Sequence, residues 1–330
     1  MMRRREFIVG LAGTAATWPP AALAQQPNRL QRISVLMSFA ESDSEAQSWV
    51  RALLQGLAEL NWIDGRNVRI DVHFGAGDES RRSTLARDLV ASNPEVIVTG
   101  GTPATAGIWR QTHAVPTIFV QIADPVALGL FDSFAHPGGN VTGFTIFEYK
   151  MGEKWLQVLR EIAPDFTRIA VLLDTENPSW PLYVRAIEPA AASLGLQMTK
   201  ATMHEAAEIE RALSAFVLKP DGALIVLPSP ASQFHRELII GLAARYRLPA
   251  IYPYRFHAAS GGLISYGVNV ADLYHRAASY VDRVLRGENP GELPVQAPTK
   301  YELVINLKTA KALGLNIPRT LLVFADEVID

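Results

Sequence analysis

The 330-residue chain contains no cysteine, which excludes disulfides, thiolate metal sites, cysteine nucleophiles and a cysteine-linked lipid anchor. Its seven histidines form neither a His-x-x-x-His nor a His-Glu-x-x-His pair, so the sequence indicates no zinc site and no cofactor. Gly-x-Ser-x-Gly and phosphate-binding-loop motifs are also missing, and no pair of carboxylates stands out. These absences leave an enzymatic function without positive support but do not exclude it.

Strong charge and long apolar runs are missing as well. The formal net charge is only −2, so the chain has no general attraction for nucleic acid or anionic lipid. Beyond the N-terminus no run of about 18 apolar residues occurs, so we expect no direct membrane insertion. The hydrophobic content of 48% supports folded cores, and the length suits two domains.

The first 24 residues follow the order of a cleaved export signal. The basic run Arg4-Arg5-Glu6-Phe7-Ile8 precedes a weakly apolar stretch and then Ala22-Leu23-Ala24. The paired arginines indicate the twin-arginine form of this signal. We expect residues 1–24 to be cleaved after about Ala24, which would place the mature protein in the periplasm.

Short β-rich runs alternate with helical patterns along the rest of the chain. Ile33 to Met37 predicts a first strand, and Ser42 or Asp43 can cap the helix after it. A buried face of that helix is predicted at Ala46, Trp49, Val50, Leu53, Leu57 and Leu60. The pattern restarts at Arg168 to Leu173 and includes a helix over about Ser232 to Tyr246. We therefore predict an α/β protein with two Rossmann-like, doubly wound parallel-sheet lobes.

The chain continues beyond these two blocks, and the remaining elements are best used to complete the two sheets. We assign residues 30–145 and 262–296 to the first lobe, and residues 146–261 and 297–330 to the second. The chain would then cross between the lobes near Gly143, Gly261 and Ala297, which forms a three-crossing hinge.

Ligands bind open parallel sheets at the loops beyond the carboxyl ends of the strands. Two such crevices that face each other form a hinged clamp, which closes on a small molecule. Thr102, before Pro103, can cap its helix, and the same helix end suits an anionic group such as a carboxylate. Asp124 follows a strand and either accepts an ammonium group or starts a turn.

Other candidate contacts lie in equivalent loops. Ser38 and Phe39 follow the first strand. Asn177 and Ser229 occupy loops of the second block, where each residue is more often a helix cap than a ligand contact. The aromatic residues near these loops can stack on a ligand or pack in the core; they are Phe39, Tyr183, Tyr254 and Tyr266. We select Ser38, Phe39, Thr102, Asp124, Asn177, Ser229, Tyr254 and Tyr266 as candidate ligand contacts.

Several runs of the chain resemble one known family. They are Gly101-Thr102-Pro103-Ala104, Asp124-Pro125-Val126, Pro137-Gly138-Gly139-Asn140-Val141-Thr142-Gly143, Ser265-Tyr266-Gly267, Tyr301 to Ala310, Ala312 to Leu315 and Ala325 to Ile329. Together they resemble the ABC transporter substrate-binding proteins that include the tryptophan/tyrosine-type members. The resemblance implies a type I periplasmic-binding-protein fold without catalytic activity, with an ABC permease and ATPase as partners. It favours an amino-acid-like or aromatic ligand, and we expect a monomer.

Two alternatives remain open at this point. The first is an exported receptor that passes its liganded form to a membrane signalling partner. The second is an exported enzyme on the same architecture, which would need a nucleophile or an acid/base pair in the cleft.

Overall fold

The computed structural model of the protein describes residues 30–330 except 77, 124, 127, 132 and 149. The predicted export signal and the candidate contact Asp124 therefore lie outside the described residues. Within them, no helix has both the length and the apolar character that a bilayer crossing requires.

Five parallel strands of the described chain form the first sheet, in the order β2-β1-β3-β4-β5. These strands are β1 (Gln31–Met37), β2 (Val68–Phe74), β3 (Val96–Gly100), β4 (Thr117–Ile122) and β5 (Val141–Thr145). A register shift between Val120 and Ile122 interrupts the pairing of β4 with β5, directly before the loop that follows β4.

The second sheet has the order β12-β11-β10-β9-β8-β6-β7. Its strands are β6 (Arg168–Leu173), β7 (Gln197–Thr202), β8 (Gly222–Val226), β9 (Ala250–Tyr252), β10 (Ile264–Gly267), β11 (Glu302–Asn306) and β12 (Glu327–Ile329). All neighbouring strands run parallel except β10 and β11, which pair antiparallel. The predicted α/β class with two parallel-sheet lobes is confirmed.

Helices lie between the strands along the chain. They are α1 (Ser44–Glu59), α2 (Glu79–Ala91), α3 (Thr102–Trp109), α4 (Met151–Ile162), α5 (Trp180–Ser193), α6 (Ala206–Phe216), α7 (Pro230–Phe234), α8 (Arg236–Arg245), α9 (Arg255–Ala259), α10 (Val270–Leu285), α11 (Leu307–Leu313) and α12 (Arg319–Phe324). A 3-10 turn occupies Pro290–Glu292.

The chain passes between the sheets after β5, after β10 and before β11. Strand β10 lies in the second sheet, whereas residues from 262 onward were assigned to the first lobe. That assignment is wrong for β10, because the strand pairs with β9 and β11 and the chain changes lobe only after Gly267. Helix α10 then packs on α1 and against β3, β4 and β5 in the first lobe.

Helix α1 shows why the sequence folds in this way locally. The Asp43 carboxylate accepts hydrogen bonds from the backbone nitrogens of Glu45 and Ala46, which satisfies donors of the first turn. The residues that the helix buries are Ala46, Trp49, Val50, Leu53, Gly56 and Leu57, which confirms most of the predicted apolar face. Burial of this face packs α1 on α10 of the first lobe, and Asp43 at its start bonds Gln233 and Arg236 of the second lobe.

Candidate functional site

A cleft between the two lobes contains two neighbouring cavities. The inner chamber has a volume of about 20 Å³ and is lined by the loops after β1, β3, β4, β5, β6, β8 and β9. The outer chamber has a volume of about 470 Å³ and reaches the loops after β2, β6 and β7. Phe39 and Pro230 line both chambers. Small-molecule sites usually enclose about 300–1,000 Å³, so only the outer chamber, or both together in an opened cleft, can hold a metabolite.

Five of the selected residues line the inner chamber: Phe39, Thr102, Asn177, Ser229 and Tyr254. They come from both lobes, because the loops at the carboxyl ends of the strands in the two sheets face each other across the cleft. Phe39 is largely buried and packs edge-on against Trp49, with ring centroids 5.0 Å apart. This contact holds the Phe39 ring at the boundary between the chambers.

Ser38 acts at the start of α3. Its Oγ accepts a hydrogen bond from the backbone nitrogen of Ala104 at 2.9 Å, although the two residues belong to different elements. The N-cap residue of α3 is Gly101, at φ 88°, and no side chain of the cap residue bonds the helix. A Cβ at Gly101 would lie 3.0 Å from Ser38 Oγ, so glycine allows the close approach of the two loops.

Thr102 is the first residue of α3 and not its cap. The predicted capping role is therefore wrong, because Ser38 supplies the hydroxyl that bonds the first turn. Thr102 lines the inner chamber instead. Its hydroxyl lies at the N-terminus of α3, which is the positive end of the helix dipole. Pro103 occupies the first turn of the same helix.

Tyr254 is buried at the back of the inner chamber. Its hydroxyl accepts a hydrogen bond from Gln121 Nε2 at 3.4 Å, and its ring stacks on Phe256 at 5.4 Å and on Phe147 at 5.9 Å. Burial raises the pKa of the Tyr254 hydroxyl, so the group stays protonated at physiological pH. Tyr254 therefore offers the chamber an aromatic wall and a neutral hydroxyl.

Gln121 is a site residue that sequence reasoning missed. It lies at the irregular end of β4, and its backbone has φ 69°, a conformation that a residue with a side chain rarely adopts. Its side chain joins the lobes, because Nε2 donates to Tyr254 and Oε1 accepts from the Tyr274 hydroxyl, each at 3.4 Å. Strained backbone is often retained at ligand sites. The signal available in the sequence was its position at the end of β4, before Asp124.

The second-lobe residues Asn177 and Ser229 have their polar atoms engaged within their own lobe. Asn177 Nδ2 donates to the carbonyl of Pro228 at 3.1 Å, and its Oδ1 accepts from the Ser179 hydroxyl at 2.8 Å. Ser229 forms a reciprocal capping box with Ser232 at the start of α7. Both residues shape the loops that line the inner chamber.

Tyr266 lies away from both chambers. It belongs to β10, where its ring packs near Tyr301 with centroids 5.8 Å apart and its carbonyl accepts from Trp155 Nε1 at 2.7 Å. The structure does not bring Tyr266 into the lining of either chamber, because β10 pairs with β9 and β11 within the second sheet. Tyr266 instead supports the aromatic cluster of that lobe.

The outer chamber carries charges that sequence reasoning did not select. Arg82 of α2 lines it from the first lobe, and Asp174, Glu176 and His204 line it from the second. Burial raises the pKa of the Asp174 carboxyl, against the smaller opposing effect of a hydrogen bond from the Glu176 backbone. The sequence did not indicate a common site for these four residues, because their proximity depends on which loops the fold brings together.

An ion pair joins the lobes beside the outer chamber. Asp43, at the start of α1, accepts a hydrogen bond from Arg236 Nη1 at 2.7 Å and another from Gln233 Nε2 at 2.8 Å. Both partners belong to the second lobe, on α7 and α8. Asp43, Gln233 and Arg236 together are called the interlobe latch below.

The architecture is that of the type I periplasmic binding proteins, in which two α/β lobes enclose a cleft. Residues 33–329 match the ABC transporter substrate binding proteins, and the chain belongs to this family. It is similar to a tyrosine-binding protein of Clostridioides difficile strain R20291, with 25% identity over 289 residues, covering 86% of this chain and 80% of that protein.

Two solved structures are similar over most of the chain. An ABC domain in complex with L-Trp from Streptococcus pneumoniae has a TM-score of 0.84 and 25% identity, covering 91% of this chain and 99% of the other. A conserved domain protein from Vibrio cholerae O1 biovar El Tor has a TM-score of 0.85 and 25% identity, covering 91% of this chain and 100% of the other.

Proposed function

We propose that the protein is the periplasmic substrate-binding component of an ABC importer and that it binds an amino-acid-like solute, preferably an aromatic one. The observation that carries this proposal is the cleft, in which Phe39 and Tyr254 from opposite lobes line one chamber together with Thr102. Aromatic walls with a few converging polar groups are the usual composition of a small-molecule site.

The relatives support an amino acid as the ligand. One is a tyrosine-binding protein, and another was solved in complex with L-Trp. The net charge of −2 does not oppose a zwitterion, and an aromatic ring could stack on Phe39 or Tyr254. The loops that carry these residues belong to different lobes, so ligand binding would favour closure.

Thr102, which lines the inner chamber, remains a preferred contact, and Asp124 remains one on the grounds of its sequence position alone. The helix end at Thr102 suits an anionic oxygen, and a carboxylate at Asp124 would suit an ammonium group. Ser38, Asn177 and Ser229 act in this proposal by fixing the loops, because their polar atoms already bond neighbouring groups.

Calorimetric titration tests the ligand class. The protein is unfolded, dialysed and refolded to remove any carried ligand, and then titrated with the twenty amino acids and with a set of sugars and polyols as controls. We expect binding of aromatic L-amino acids and no heat with the polyols. Binding of a sugar, or no response to any amino acid, would contradict the proposal.

Export and delivery require separate measurements. Replacing Arg4 and Arg5 with Lys should leave the precursor in the cytoplasm, which fractionation followed by immunoblotting would detect.

Delivery of the ligand to a permease predicts that deletion of the gene abolishes uptake of the radiolabelled ligand, and that the plasmid-borne gene restores it. Unchanged uptake together with tight binding in vitro would favour a sensory receptor.

A further inference from the structure

Arg82 and Asp174 bring opposite charges to the outer chamber from opposite lobes. Arg82 lies in the first turn of α2, and Asp174 follows β6 directly. Both side chains line the chamber of about 470 Å³. Neither residue belongs to the set of contacts in the inner chamber.

Arg82 is held in place by its surroundings but is incompletely bonded. Its side chain is only 3% exposed, and Nη2 bonds Glu79 Oε2 at 2.8 Å. Within the described residues, the buried Nε of Arg82 has no hydrogen-bond partner. A Cβ at Gly75 would lie 2.3 Å from Arg82 Cγ, so the absence of a side chain at position 75 makes room for the arginine stem.

Glu79 does not neutralise Arg82 fully, because it serves two arginines. Its second oxygen, Oε1, bonds Nη2 of Arg110 at 2.8 Å. Glu79 and Arg110 are exposed to solvent, whereas Arg82 is not. Solvent screens the exposed groups more strongly, so the buried guanidinium keeps the capacity to bind an anion.

Asp174 presents a buried carboxylate on the opposite wall. Its Oδ1 accepts a hydrogen bond from the backbone nitrogen of Glu176 at 3.1 Å, and the side chain is largely buried. In the described part of the chain the carboxylate forms no ion pair, although Arg82 and His204 act on it electrostatically. A buried carboxylate that lacks a cation is suited to bind an ammonium group.

We infer that the outer chamber binds the zwitterionic head of an amino acid, with the carboxylate at Arg82 and the ammonium group at Asp174. The inference rests on the proposed function, and it places the two charged groups of that ligand at Arg82 and Asp174 instead of at Thr102 and Asp124, which would then contact other parts of the ligand. A zwitterion placed in this way bridges the lobes and would stabilise the closed cleft. Three further carboxylates line the same chamber, at Asp78, Glu79 and Glu176, and they disfavour a ligand with a second negative charge.

The assignment is tested with ligand analogues that each lack one charge. L-tyrosine is compared with tyramine, which lacks the carboxylate, and with 3-(4-hydroxyphenyl)propionate, which lacks the ammonium group. Dissociation constants are measured for the wild type, Arg82→Gln and Asp174→Asn. Arg81→Gln serves as the control, because Arg81 is a neighbouring arginine that does not line the chamber.

Arg82→Gln should weaken L-tyrosine binding roughly tenfold to hundredfold, the usual effect of losing a charged hydrogen bond, and leave tyramine binding unchanged. Asp174→Asn should weaken L-tyrosine binding similarly and leave the propionate unchanged. Arg81→Gln should bind all three compounds as the wild type does. Gly75→Ala should imitate Arg82→Gln, because it displaces the arginine without removing its charge.

The outcomes separate this inference from the proposed function. If the wild type binds no amino acid, the proposed function fails. If the wild type binds L-tyrosine but Arg82→Gln and Asp174→Asn keep its preference over both analogues, the zwitterion assignment is wrong. Circular dichroism of each variant establishes that the affinities refer to folded protein. A variant that fails to fold is replaced by Arg82→Lys or Asp174→Glu, for which displaced charges should again reduce the preference.

Discussion

At the scale of single residues, the first turn of α3 depends on a hydroxyl from the loop after β1. Ser38 Oγ accepts from the backbone nitrogen of Ala104 at 2.9 Å, while Gly101 at the N-cap position contributes no side chain. A helix N-terminus leaves several donors unpaired, and a Ser hydroxyl that bonds one of them is stabilising. Ser38 therefore has a structural role, and Thr102 is free to serve the chamber.

Replacing each hydroxyl separately should show this division of roles. Ser38→Ala should lower the free energy of unfolding by about 1–2 kcal/mol, because Ala104 loses its bond in a buried place. Thr102→Val keeps the shape of the side chain and should unfold at nearly the wild-type urea concentration, but bind the ligand more weakly. An equal loss of stability in the two variants would show that Thr102 also holds the helix.

Burial of the Asp174 carboxylate in the cleft lowers the free energy of unfolding of the ligand-free protein. Burial raises the pKa of its carboxyl above the ordinary value of 3.8. In the unfolded chain the carboxyl has its ordinary pKa, and in the folded protein the pKa is higher. At a pH between the two, the folded protein still holds a proton that the unfolded chain has lost. The free energy of unfolding therefore falls as the pH rises from the unfolded pKa to the folded pKa. The loss persists at neutral pH.

Asp174→Asn should therefore stabilise the ligand-free protein while weakening the ligand. We expect its Tm to exceed that of the wild type at pH 7, and the difference to shrink as pH decreases toward 4. Scanning calorimetry across this range provides the measurement, with Asp165→Asn as a control on an exposed loop. A variant less stable than the wild type at pH 7 would contradict this account of Asp174.

At the scale of elements, the first lobe depends on close packing between α1 and α10. A Cβ at Gly56 of α1 would lie 2.6 Å from the carbonyl oxygen of His275 and 2.8 Å from the Cβ of Ala278. Neither group is the end of a flexible side chain, so the helices would have to move apart. Gly56 therefore sets the distance between the two helices.

Two glycine replacements with opposite results test this packing. Gly56→Ala should destabilise the protein by about 1–3 kcal/mol, the usual cost of overpacking, reduced by the better helix propensity of alanine. Gly241→Ala in α8, where nothing lies within 4 Å of the added Cβ, should stabilise it by roughly 0.5–1 kcal/mol. Urea unfolding compares the two, and a Gly56→Ala variant as stable as Gly241→Ala would exclude close packing at this position.

Much of this architecture could be predicted from local patterns. The apolar run of β6, the buried face of α1 and the cap at Asp43 are properties of neighbouring residues, and the structure agrees with all three. Local patterns predicted one helix from about Ser232 to Tyr246, whereas the structure has α7 and α8 meeting at His235. The capping box at Ser229 starts the first helix two residues earlier than predicted.

The rest of the site depends on contacts between distant parts of the chain. Gln121 bonds Tyr254 and Tyr274, which are 133 and 153 residues away. Arg82 reads in the sequence as one more charged residue on a helix, and only the approach of the two lobes places it in the same chamber as Asp174. Tyr266 likewise lines neither chamber, because its strand β10 pairs with β9 and β11 in the second sheet.

At the scale of the whole molecule, the interlobe latch connects binding with closure. Asp43 already accepts hydrogen bonds from Glu45 and Ala46, so Arg236 and Gln233 reach a carboxylate that α1 holds in a fixed position. Its side chain is 6% exposed and that of Arg236 is 19% exposed, so both lose water when the lobes meet. Such a pair contributes little net energy, yet removing one partner leaves a buried charge unpaired in the closed state alone.

Arg236→Gln should consequently shift the molecule toward the open state. We expect ligand affinity to fall about tenfold, equivalent to about 1.4 kcal/mol, mainly through faster dissociation, because less of the protein occupies the binding-competent form. Small-angle scattering with saturating ligand should still show closure, whereas the ligand-free variant should be more expanded than the wild type. Arg286→Gln removes the ion pair of an exposed arginine with Asp282 inside one lobe and serves as the control. Asp43→Asn, which keeps the cap of α1, should reproduce the effect, and unchanged dissociation rates in both latch variants would mean that the cleft closes independently of this contact.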